Sequence, residues 1–193
     1  MGMPRIEAPT VAEHSAMRRR QVVEAAAAVL SEKGVSGFTP AQVAGKAGLA
    51  RSSMYQYYPS TEALMGAAIA ELLGRSRDRM RAAVAGADTP SARVAAYIEA
   101  ALDDATSGHG SLPDLARMEM PDSCRAGVRQ LHDELLEPLR SALRDGAVAD
   151  PATTALLVSG VIASGVTSIL HGSDRDRIAE ATVTFCLRAV ALD

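Results

Sequence analysis

Tryptophan is absent from this sequence, and aromatic residues make up only 3% of its 193 positions. Sheets draw on aromatic and β-branched side chains, so their scarcity argues against a β architecture. Ala, Leu, Val, Glu and Arg dominate instead, and with 48% hydrophobic residues the chain can bury a core of helices packed on helices. Cysteine is scarce too. Cys124 and Cys186 lie far apart, with no C-x-x-C spacing and no secretory leader, which points to two reduced, buried thiols rather than a disulfide framework.

Long apolar runs are also missing. The richest, residues 155–170, is broken by Ser159, Gly160, Ser164 and Gly165 and falls short of the roughly 20 residues of a membrane span. A soluble, cytoplasmic protein with no membrane partner is expected. Nor is there a G-x-S-x-G elbow, a Walker loop, a G-x-G-x-x-G or an H-E-x-x-H. Asp103 and Asp104 would point to different sides of a helix and read as exposed charge, not as a catalytic pair. His109, Glu119 and His132 share no ligand spacing. No enzyme activity, no metal and no cofactor are expected.

What is present is an uneven distribution of charge. Up to Ser60 the chain carries seven basic against four acidic side chains, whereas the remainder carries thirteen against nineteen. A polyanion would therefore meet the N-terminal third and be repelled by the rest. Residues 1–14 hold Pro4 and Pro9 and show no apolar period, so they read as a flexible arm. Val22, Val23, Ala26, Ala27 and Leu30 then fall at helical spacing, ending at Gly34 and Gly37.

Thr39 followed by Pro40 marks a helix start, since the hydroxyl can cap free amides and the proline's φ suits the first helical position. Gly48 stops that helix after about two turns. A third short helix fits Arg51 to Tyr57, closed by Pro59, and a fourth begins with Ser60 or Thr61 as its cap. Further helices fit residues 90–106, 112–118, 122–143, 150–171 and 174–192, with Pro138 placed to bend the long one. The layout is a three-helix head over 15–60 and a helical body over 61–193, roughly nine helices in all.

The run T-P-A-Q-V-A-G-K-A-G-L-A-R-S-S-M-Y-Q-Y-Y has the parts of a helix-turn-helix. Val43, Ala44, Ala47, Leu49 and Met54 supply its apolar contacts, and Gly48 can take the positive φ of the turn. Arg51, Ser52, Ser53 and Gln56 are left facing outward. Arg51 can donate bidentately to guanine, Gln56 can pair with adenine, and the serines can reach base edges or phosphate. Thr39, Tyr55 and Tyr57 suit phosphate oxygens, while Lys46 and Arg18 to Arg20 add salt-sensitive attraction.

Residues 18–65 resemble the DNA-binding domain of the TetR family of bacterial regulators. The likeness rests on S-E-K-G-V, F-T-P-A-Q-V-A-G-K-A-G-L and S-M-Y-Q-Y-Y-P-S-T-E-A-L standing in register. It implies DNA contact by Thr39, Pro40, Arg51, Ser52, Ser53, Tyr55 and Tyr57. Thr61 stands where the family usually has lysine, so a hydroxyl or amide must replace that phosphate contact. Ala50 stands where a serine is common, which removes a side-chain cap from the recognition helix.

The resemblance further implies a body that binds a small molecule and dimerises through its last two long helices. In support, Leu156, Gly160, Ala163, Ser164 and Thr167, with Ile178 and Phe185 on the final helix, offer small and apolar surface for a four-helix interface. Candidates for an effector pocket are Met80, Tyr97, Leu102, Leu115, Met118, Met120, Cys124 and Leu131, because methionine and a scarce aromatic suit irregular apolar cavities. The expected partners are a double-stranded DNA operator, a second copy of the chain, and a small apolar or amphipathic effector that releases a repressor from its palindrome. The alternative is a ligand-binding or structural helical protein with a weakened head.

Overall fold

A computed structural model describes residues 11–107 and 122–192, and every regular element among them is an α-helix. The order is α1 (Val11–Lys33), α2 (Pro40–Ala47), α3 (Arg51–Tyr57), α4 (Thr61–Ala85), α5 (Pro90–Thr106), α6 (Asp122–Asp145), α7 (Pro151–Leu170) and α8 (Arg175–Ala189). The helix expected over 112–118 lies outside the described residues. The chain divides into two compact units, up to Ala68 and from Ile69 onward, a division that falls inside α4.

Local chemistry sets most of these boundaries. Thr39, Thr89 and Asp150 each accept a backbone N–H at the start of a helix whose first residue is proline, and Asp174 accepts from Arg177 at the start of α8. Ser60, rather than Thr61, caps α4 by accepting from the Ala63 N–H at 3.1 Å. Gly48 ends α2 at φ 65°, the left-handed conformation expected of it. Helix α1 departs from expectation: it begins at Val11, so residues 11–14 are helical instead of part of an arm. Residues 13–17 are exposed, and a helical stretch that packs on nothing needs no apolar period.

In the first unit Val22, Ala26 and Leu30 of α1 pack with Phe38, Val43, Ala44 and Met54. In the second, Met80 joins Val94, Tyr97, Ile98 and Leu102 of α5, Leu136, Leu139 and Leu143 of α6, Val158 and Val166 of α7 and Cys186 of α8. Each fully buried leucine there contributes about 1.5 to 3 kcal/mol. Burial raises the Cys186 thiol pKa, which keeps it protonated and inert.

Two readings of charge and polarity are corrected. Asp104 is not exposed. Its side chain is 3% accessible, pairs with Arg79 and accepts from the Ser76 hydroxyl, whereas Asp103 faces out and pairs with Arg175. Helix α7 also runs unbroken for 20 residues without a charged side chain, and its most apolar window has a mean hydropathy of 1.7. By length and composition it could cross a membrane, because serine and glycine do not interrupt a helix that closes their polar groups internally. Only 28% of that window is buried within the chain.

Candidate nucleic-acid interface and ligand cavity

Helix α3 has seven residues and one buried side chain, Met54, which orients the rest. Arg51, Ser52, Tyr55 and Gln56 are exposed, at spacings i, i+1, i+4 and i+5 that place them in one stripe. Ser53 and Tyr57, also four apart, lie half-buried on its flank. Of the two tyrosines, Tyr55 is therefore the one on the open face, at 47% exposure. It shares that face with Arg51, Ser52 and Gln56, three of the four candidate base readers. Four polar groups with donors and acceptors, on a helix held by its neighbours, match what a major groove presents.

The frame around this stripe is well tied. The Thr39 hydroxyl oxygen accepts from Gln42 N–H at 3.3 Å, which leaves its own O–H free to donate to a phosphate. No side chain caps α3 at Ala50, as the missing serine implies. The far end is secured instead. Arg19 of α1 donates to the Tyr57 carbonyl at 3.1 Å, with its guanidinium 5.4 Å from the centre of the Tyr58 ring. Burial raises the Tyr58 pKa, partly offset by Arg19, so the phenol stays neutral.

Lys46, expected to add salt-sensitive attraction, pairs with Glu32 of α1 at 2.5 Å. Both side chains are exposed, so the pair is worth little and can yield to a phosphate. Among the three arginines Arg18 donates to Gln21, Arg19 braces α3, and Arg20 is exposed. Helical spacing carries the signal for Arg19, three residues before buried Val22 and seven before Ala26, on the packed side of α1. Pro40 and Thr61 are half-buried at the first positions of α2 and α4.

The second unit holds a partly open cavity of about 330 Å³ between α4, α5, α6 and α7. Of the candidates, Met80 and Tyr97 line it. Leu102 is buried beside Gly165, where a Cβ would come within 3.2 Å of it and of Thr182, so it belongs to the packing of α5, α7 and α8. Leu131 is half-buried and off the wall. Leu115, Met118 and Met120 lie outside the described residues, and so does the Cys124 side chain.

The wall includes residues not foreseen as such, His132, Leu135 and Leu136 of α6 and Ser159 of α7. Tyr97 donates its hydroxyl to the Leu135 carbonyl at 3.2 Å, and burial raises its pKa, so the proton is held. His132 and Ser159 remain as polar groups against an otherwise apolar lining. Of the residues expected at a dimer interface, Leu156, Gly160, Ser164 and Phe185 are exposed. Ala163 lines the cavity, Thr167 donates to the Ala163 carbonyl, and Ile178 packs near Gly165.

Comparison with known proteins agrees with this arrangement. Residues 22–68 match the model of bacterial regulatory proteins of the tetR family. The HTH-type transcriptional regulator BetI of Rhizobium meliloti (strain 1021) is 38% identical over 82 residues, which span 42% of this chain and 40% of that protein. BetI of Brucella canis is 28% identical over 161 residues, 78% of each chain. Among solved structures, a TetR transcriptional regulator from Chloroflexus aurantiacus superposes with a TM-score of 0.76 at 21% identity, covering 92% of this chain and 96% of that one. FadR from Bacillus subtilis, a transcriptional regulator solved with stearoyl-CoA, gives 0.71 at 19% identity, covering 86% and 96%.

Proposed function

The chain belongs to the TetR family of DNA-binding transcriptional regulators, and on that premise we propose that it is a repressor, binding a palindromic operator as a dimer and released by a small apolar or amphipathic effector. The observation that carries the reading is the exposed stripe of Arg51, Ser52, Tyr55 and Gln56 on α3. Arg51 and Gln56 read base edges; Ser52 and Ser53 serve bases or phosphate; Thr39, Pro40, Tyr55, Tyr57 and Thr61 meet the backbone. Lys46 adds charge once it leaves Glu32.

Two features support the dimer. Leu156, Leu157 and Phe185 are 54%, 67% and 59% exposed on α7 and α8, and apolar surface of that extent on a folded unit calls for a cover. A helix-turn-helix also reaches specific affinity by placing two recognition helices about one DNA turn apart. The effector occupies the cavity of Met80, Tyr97 and His132, whose lining suits an apolar body with one polar end. FadR with stearoyl-CoA is an example of this fold taking an acyl ligand.

Release follows if the ligand prefers a conformation whose heads no longer match the half-site spacing. Helix α4 is continuous from Thr61 to Ala85 and so joins the cavity wall at Met80 to the head by covalent structure. We further propose that it acts in the cytoplasm and that its role is regulatory rather than enzymatic. Selection from a random duplex pool tests the reading: a two-fold symmetric site with affinity falling steeply in salt is expected, and no enrichment would overturn it.

A further inference from the structure

The wall of the cavity and the exposed face of α7 share residues. Leu156 lines the cavity and is nonetheless 54% exposed, and Gly160 does the same with nothing within 4 Å of where its Cβ would stand. The adjacent Leu157, and Ser164 one turn beyond Gly160, face solvent and are not part of the cavity wall. The cavity therefore opens onto the apolar face that a partner would cover. Glycine at the rim lets another helix approach closely.

Charge on α8 identifies that partner as a second copy. Arg177, Glu180 and Arg188 surround a shallow groove floored by Ala181, Phe185 and Ala189. Neither Glu180 nor Arg188 has an ion pair among the described residues. Antiparallel pairing of two α8 helices about a two-fold axis at Thr184 sets Glu180 of one copy against Arg188 of the other, twice over. A self-complementary patch of this kind fits an isologous interface.

We infer that the ligand cavity is completed by the second copy, whose helices close the opening beside Leu156 and Gly160, so that ligand binding and dimer assembly are thermodynamically linked. The inference rests on the dimer proposed above. A ligand that binds only the closed cavity stabilises the dimer, and by reciprocity dimerisation tightens the ligand by the same factor.

Leu157→Arg separates the two processes, because Leu157 is on the apolar face and off the cavity wall. Sedimentation velocity first establishes dimer for the parent and monomer for the variant, with helicity checked by circular dichroism. Two readouts follow. N-phenyl-1-naphthylamine, a neutral apolar fluorophore, should bind the dimer about tenfold or more tightly than the variant, within the usual range of such couplings. Independently of any ligand, maleimide labelling of the thiol introduced by Ser159→Cys, read by peptide mass spectrometry, should slow as the protein is concentrated into dimer.

Labelling equal in dimer and monomer would overturn the inference while leaving the dimer intact, as would equal fluorophore affinity. A parent that stays monomeric at all concentrations would overturn both the inference and the dimer it rests on, and would be seen in the first measurement.

Discussion

The Arg19 guanidinium donates to the Tyr57 carbonyl at 3.1 Å and lies 5.4 Å from the centre of the Tyr58 ring. It thereby satisfies one of the carbonyls left open at the end of α3 and places positive charge at the negative end of the helix. Arg19→Ala should destabilise the head by about 1 kcal/mol and speed hydrogen exchange at α3 amides. Arg20→Ala should leave exchange unchanged and only reduce the salt dependence of DNA binding.

The two tyrosines of α3 should separate in the same way. Tyr55 stands on the open stripe, so Tyr55→Phe is expected to weaken DNA binding by about 1 kcal/mol with no change in melting temperature. Tyr57 is half-buried on the flank, so Tyr57→Ala should lower the melting temperature as well. Paired titration and thermal unfolding of the two variants check the division.

In the body, Asp104 holds Arg79 and Ser76 of α4 against α5. Asp104→Ala leaves a buried hydroxyl and a partly exposed guanidinium without their acceptor. A loss of about 2 to 3 kcal/mol in chemical denaturation is expected, less than for a wholly buried pair because Arg79 is 43% exposed. Asp103→Ala, on the neighbouring exposed carboxylate, should cost far less.

The start of α7 should be sensitive to pH. Backbone and side-chain hydrogen bonds from Thr153 lower the Asp150 pKa below the usual carboxylate value. A lowered folded-state pKa contributes stability above the unfolded value that is lost as pH falls through the folded one. Asp150→Ala should therefore lower the melting temperature near neutrality and lose its effect in acid, as thermal scans from pH 7 to about pH 2 would register.

Which of these features the sequence discloses depends on the range of the interaction. The cap at Thr39, the turn at Gly48 and the bare start of α3 at Ala50 are settled within four residues and are legible, whereas the caps at Thr89, Asp150 and Asp174, though just as local, emerge only with the structure. Arg19 and Asp104 are not legible, because their partners lie 38 and 25 or more residues away and only the fold decides which arginine or aspartate is reached. The cavity is half legible. Met80 and Tyr97 follow from residue type, but His132 and Ser159 depend on which faces of α6 and α7 the packing turns inward.

The α3 stripe as the reader of sequence is tested most directly by titrating the parent and Arg51→Ala against the selected operator and a scrambled duplex at one salt concentration. The variant should lose about 1 to 3 kcal/mol per half-site on the operator and little on the scrambled duplex, collapsing the ratio between them. An equal loss on both duplexes would show Arg51 to be a phosphate contact and would contradict the account.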